Sequence, residues 1–294
     1  MSNVTPLTDL TVSNLVIVAG KGGVGKTTVT AVLARAAANA GLRVLAIELD
    51  GKATLAELIP DLPVRHISAA DSLEEYLFEH GFKRIAKRLA ATGVIDVIST
   101  AAPGIDNLVV LGKIKQLERS GDWDLIIVDG PAAGHAVTFL TSASGLLDAV
   151  RSGPIRTQAE DVLAMLRDPE RCRVVLVTLP ETTPVNELLE LAVVVDQRVG
   201  VSCSTIVVNQ VDTGGPLPDP DEVGFGRATV GVADAITAAR FRRARQAIQC
   251  NELTRLTDAL AIDQLHLERV GSARLLSHDI VRLAAGLADQ ETSE

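Results

Sequence analysis

Eight residues set between an apolar run and an alanine-rich stretch constrain the fold of this chain more than any other feature. Gly20-Lys21-Gly22-Gly23-Val24-Gly25-Lys26-Thr27 follows Leu15–Ala19, a strand candidate, and opens Lys26–Ala40, which is rich in helix formers and stopped by Gly41. The string fits G-x-x-x-x-G-K-[ST], and a strand before it with a helix after it is the context the pattern requires. Glycines let successive backbone N–H groups converge on phosphate oxygens. The helix N-terminus adds the positive end of its dipole. The candidate nucleotide-binding residues are therefore Gly20, Lys21, Gly22, Gly23, Val24, Gly25, Lys26, Thr27 and Thr28. In this reading Lys26 reaches the β- and γ-phosphates and the Thr27 hydroxyl ligates Mg²⁺.

The rest of the chain repeats the strand–helix alternation. Arg43–Leu49, Val94–Ser99, Leu125–Asp129, Arg173–Thr178, Thr205–Asn209 and Gln264–Leu267 read as further strands. Helical patterns lie between them, near Leu73–Ala91, Leu108–Arg119, His135–Val150, Glu160–Arg167, Val185–Val199, Ala228–Ile248 and Ala273–Ala288. Strands separated by helices imply an α/β fold of the P-loop NTPase kind, a mostly parallel sheet flanked by helices on both faces. With 294 residues and no repeat, residues 1–294 are expected to form one domain. Residues 212–226, dense in Gly and Pro, form a flexible surface loop in this reading, and there is no large client-binding insertion.

Composition removes several classes. Net charge is −9 and aromatics are 2%, so neither a basic footprint nor the stacking platforms of a nucleic-acid binder are present. Cys172, Cys203 and Cys250 stand far apart, which excludes a closed four-cysteine zinc site in one chain and suggests reduced, buried thiols. Residues 130–147 carry no Asp, Glu, Lys or Arg, but Pro131, His135 and several Gly, Ser and Thr make a buried segment a better reading than a bilayer span. No direct membrane insertion and a cytoplasmic location are expected, since the first ten residues have no basic or long apolar region.

Three further positions invite chemistry. Asp50 stands where the second strand should end, on the edge that βα loops share with the glycine loop. A carboxylate there can orient a water for in-line attack on a γ-phosphate. Asp129 closes the apolar run Leu125–Val128, and its carboxylate suits Mg²⁺, through a water. Asn209 ends the run Thr205–Val208, and is followed by Gln210 where a guanine-reading motif has lysine. An asparagine amide suits the donor–acceptor edge of adenine, so ATP is favoured over GTP.

The string GKGGVGKTT resembles the deviant P-loop of the ATPase class that includes arsenite-pump, tail-anchored-protein targeting, Min and Par ATPases. The chain is most similar to short bacterial arsenite/anion-transporting ATPase-like proteins. Asp50 and Thr54 match the switch I pattern Asp-Pro-Ala-His-Ser, while Gly51, Lys52 and Ala53 depart from it. Gly134 and His135 match switch II, and Val208-Asn209-Gln210 and Pro180-Glu181 match the branch's nucleotide segments. The resemblance implies a Mg²⁺-dependent ATPase that hydrolyses ATP in a nucleotide-sandwich dimer, a homodimer or a heterodimer with a related ATPase chain. It implies that Lys21 crosses to the partner's nucleotide as a catalytic charge with Lys26 and Asp50, and that Glu181 contacts nucleotide across the dimer. A nucleotide-gated adaptor or chaperone for a membrane protein partner, or a Min/Par-like positioning ATPase, is the alternative. The Met-rich client helices and CxxC of the targeting branch are missing: the chain has two methionines, Met1 and Met165.

Overall fold

The computed structural model describes residues 12–49, 54–79, 104–219, 231–272 and 274–291. Asp50 and the expected strand Val94–Ser99 lie outside them, as does the later part of the expected helix Leu73–Ala91. In chain order the elements are β1 (Leu15–Gly20), α1 (Lys26–Asn39), β2 (Val44–Glu48), α2 (Thr54–Leu58), β3 (Val64–His66), α3 (Ala69–Glu79), α4 (Ile105–Arg119), β4 (Leu125–Ala132), α5 (Ala133–Ala149) and α6 (Pro154–Arg167). They continue with β5 (Cys172–Thr178), α7 (Thr182–Val194), β6 (Cys203–Val211), α8 (Val232–Ala259), β7 (Asp263–Glu268) and α9 (Ser277–Glu291).

The strands join one sheet of seven in the order β3-β2-β4-β1-β5-β6-β7, and every pairing is parallel. β1 lies at its centre and is buried throughout. Leu15, Ile17 and Ala19 face one layer, Val16 and Val18 the other. Burial on both faces is why the run is continuously apolar rather than alternating. On one side, Val29, Val32 and Leu33 of α1 pack with Ile280, Leu283 and Leu287 of α9. On the other, α4, α5 and α6 supply Leu108, Leu111, Phe139, Leu140, Met165 and Leu166. One face of the uncharged stretch after Asp129, with Ala136, Phe139, Leu140, Ala143 and Leu146, is therefore core, and no helix among the described residues is long and apolar enough to cross a membrane.

Four details differ from the sequence expectation. β3 is short and half polar, so its own pattern is silent; pairing with Ala46–Glu48 of β2 makes it a strand. α6 starts at Pro154 rather than Glu160, because proline is tolerated in the first turn, where its missing N–H has no helical partner. α8 runs to Ala259, past Ile248, since Leu253 and Leu256 give its second half an apolar contact with the core. Phe241 is 64% exposed and Cys250 exposed on this helix, and with Cys203 half-buried only Cys172 is a fully buried thiol. Burial raises the pKa of Cys172, and pushes that of Cys203 up to about 11.

Candidate functional site

The carboxyl ends of β4, β1, β5 and β6 lie side by side, and the βα loops that follow them share one edge. This delivers the glycine loop, Asp129 and Asn209 together across more than 180 residues of chain. Gly20 is required sterically: a Cβ there would lie 2.4 Å from the Val177 carbonyl oxygen of β5. Gly25, which precedes α1, has φ 90°, a left-handed conformation that costs a side-chain-bearing residue about 1–2 kcal/mol. A Cβ on Gly25 would also meet Asn209 Nδ2 at 2.2 Å.

Asn209 is buried, and its amide is engaged at both ends. Nδ2 donates to the Val24 carbonyl at 2.9 Å, and Oδ1 accepts from the Gln210 backbone N–H at 2.9 Å. The second bond accompanies a left-handed Gln210, φ 59°. Its structural work is thus to anchor the back of the glycine loop to β6. A cavity of about 640 Å³ opens beside it, bordered by Gly25, Thr28, Thr54, Arg269 and Leu275. That volume falls within the range of small-ligand pockets.

Thr27 and Asp129 meet: Thr27 Oγ1 donates to Asp129 Oδ2 at 2.6 Å, the short range of a charge-assisted bond. Asp129 is in register with Val18 of β1 and Glu48 of β2. Glu48 is buried and its Oε1 accepts from the Leu55 N–H at 3.2 Å, which ties the end of β2 to α2. Glu48 therefore lies beside Asp129 and is bonded to the start of α2. Two hard oxygen donors, a hydroxyl and a carboxylate, suit Mg²⁺, and the set contains no soft ligand. Among the described residues, no group of three or more His, Cys, Asp or Glu side chains could hold a metal ion.

The two loop lysines are held by their own chain. Lys26 Nζ donates to the Lys21 carbonyl at 3.1 Å, and Lys21 Nζ pairs with the Glu187 carboxylate on α7. Glu181, just before α7, is joined to Arg245 of α8 at 3.0 Å rather than to the glycine loop. His135 is exposed. Sequence reasoning missed Glu187 and the arginines of α8, because their partners lie 166 and 64 positions away with no local signature.

Beyond the loop, Asp212 accepts from Arg242 Nε and Nη2, both at 2.7 Å, and from the Gly214 N–H at 3.0 Å. The Arg242 guanidinium holds its pKa down to about 2. An unfolded aspartate titrates near 3.9. The stabilisation is therefore complete above pH of about 4 and lost as the pH falls through about 2. We expect Asp212→Asn to lower the urea midpoint at pH 7 by an amount equivalent to about 1 kcal/mol, given the partial exposure of Arg242. The difference from the parent should vanish near pH 2; a gap that persists there would show a different cause.

Residues 15–251 match the model of the CobQ/CobB/MinD/ParA nucleotide binding domain. The chain is 28% identical to ATPase BagA of Mycobacterium tuberculosis, covering 93% of this chain and 92% of that protein. A putative ATPase of Mycobacterium bovis matches with the same identity and coverage. It is 30% identical to an arsenical pump-driving ATPase of Escherichia coli over 69% of its own length. It spans only 36% of that pump ATPase. With the family model covering most of the sheet and the whole glycine loop, the chain belongs to the CobQ/CobB/MinD/ParA nucleotide binding domain family and is an anion-transporting ATPase-like member of it.

Proposed function

We propose that this chain is a Mg²⁺-dependent ATP hydrolase whose nucleotide is sandwiched in a dimer, with a second copy or a related ATPase chain, and whose cycle drives a conformational switch. The observation that carries this reading is the Thr27–Asp129 contact, which joins the end of the glycine loop to β4. Supporting it are the loop backbone braced by Asn209, the adjoining cavity, and relatives named ATPases.

In this reading the loop N–H groups and Lys26 hold the phosphates, and the cavity beside Asn209 takes the adenosine. Thr27 and Asp129 would hold the magnesium ion, Asp129 through a water. When bound, the ion supplies charge neutralisation on the phosphates. Asp50 orients the attacking water, and Lys21 offers its charge across the dimer. Catalysis is then positioning plus electrostatic stabilisation.

Phosphate release and light scattering on the parent and Asp50→Asn test it. We expect Asp50→Asn to bind Mg-ATP as the parent does and turn over at least ~100-fold more slowly, within the range for a general base. It should accumulate as a dimer in Mg-ATP. Hydrolysis at the parent rate would remove the water-positioning role, and a monomer at all nucleotide loads would remove the sandwich.

A further inference from the structure

The segment between β7 and α9 is fastened at both ends. The Arg269 N–H donates to the Val211 carbonyl at 2.9 Å, and the Leu276 N–H donates to the buried Asp279 carboxylate at 3.0 Å. Val270 and Leu275 pack against the core cluster of α1 and α9. Arg274 instead reaches across to α2, where its guanidinium donates to Glu57 Oε2 at 2.7 Å. Both residues border the cavity beside Asn209. Their side chains are 75% and 63% exposed, so the pair lies on the solvent side of that cavity. The helix it reaches is fixed: Leu55 and Leu58 of α2 are buried, and the Leu55 N–H is bonded to Glu48. Among the described residues of 270–275, Arg274 alone makes a hydrogen bond or ion pair with another element.

We propose that Arg274 is a positioning residue for nucleotide exchange. Through Glu57 it holds the β7–α9 segment against α2 at the cavity rim, and nucleotide enters or leaves when that pair opens. This rests on the reading that the cavity takes the adenosine. The segment is the part that yields. Its polar hold on α2 is one exposed ion pair, whereas α2 itself is held by two buried leucines and a bond to the buried Glu48. An exposed pair is weak, so it opens readily and slows exchange without blocking it. Neither side chain needs a nucleotide atom to make the pair. A contact equally strong with and without ligand shifts no binding equilibrium. The pair therefore slows entry and exit by the same factor and leaves affinity alone. An arginine that held the nucleotide itself would act on exit and affinity together.

The test is stopped-flow binding and displacement of fluorescent Mg-ADP on the full chain. The variants are Arg274→Ala, Glu57→Gln, the two combined, and the charge swap Arg274→Glu with Glu57→Arg. Each single variant is expected to raise the association and dissociation rates together, about 2- to 5-fold, the range for an exposed pair. The dissociation constant should stay within a factor of about two of the parent. Arg274→Ala combined with Glu57→Gln should be no faster than either alone, as required if the two residues act as a pair. The charge swap should return both rates toward the parent. At about 0.5 M salt the parent should approach Arg274→Ala, because the pair is screened. Both side chains are exposed, so the melting curve should not move. Unchanged rates in the single variants, a dissociation rate that rises alone, or a charge swap as fast as the single variants overturns the proposal. Failure of the parent itself to bind Mg-ADP overturns the adenosine-site reading instead, so the two failures are distinguishable.

Discussion

Lys26→Ala is expected to weaken Mg-ATP binding about 100-fold and reduce hydrolysis to background, with the fold intact. Lys26 opens α1, and its Nζ donates to the Lys21 carbonyl at 3.1 Å. Charge-assisted hydrogen bonds contribute about 1.5–3 kcal/mol each, and no neighbouring cation can take over a position fixed by the helix start. Alanine is the strongest helix former, so α1 should not suffer. Fluorescent-nucleotide titration together with a melting curve separates the two effects. Binding within a factor of three of the parent would place the phosphates elsewhere.

The second large effect is expected from the smallest change, Gly25→Ala. Two penalties coincide at this position. The backbone is at φ 90°, and an added Cβ would sit 2.2 Å from Asn209 Nδ2. The side chain of Asn209 must move, which breaks its bond to the Val24 carbonyl. Strain of about 1–2 kcal/mol plus a lost buried hydrogen bond of about 1–3 kcal/mol should lower stability by ~2–5 kcal/mol. Nucleotide affinity should fall with it, because the loop loses its anchor. Urea unfolding and nucleotide titration would be measured together. A variant of parental stability would mean that the loop is not braced by Asn209. Replacing Asn209 itself by alanine in the Gly25→Ala chain should then cost little more, since the contact is already gone.

The strands that line the site were readable in large part from local pattern. β1, β5 and β6 are buried on both faces, so their apolar runs stand out against any neighbour. β3 did not stand out, because an edge strand with intermediate and exposed side chains has no pattern of its own. The start of α6 was hidden behind Pro154, and the length of α8 depended on two leucines finding the core.

The candidate site divides along the same line. The glycine loop declares itself within eight residues, because the backbone conformation it needs restricts residue type directly. Asp129 was legible from the apolar run Leu125–Val128 before it, although β4 continues past it to Ala132. Asn209 was legible as an asparagine at a strand end, but its bond to Val24 was not. Nor was the destination of Lys21, which the helix order of the sheet brings to Glu187. Asp50 lies outside the described residues. What the sequence by itself determined is the alternation of elements and the glycine loop between β1 and α1, both properties of short windows in which periodicity and backbone freedom are written. What only the tertiary structure decided is which distant side chains meet: Thr27 with Asp129, Asn209 with Val24, Lys21 with Glu187. Those pairings follow from the strand order and from packing on both faces of the sheet, and no local window encodes either.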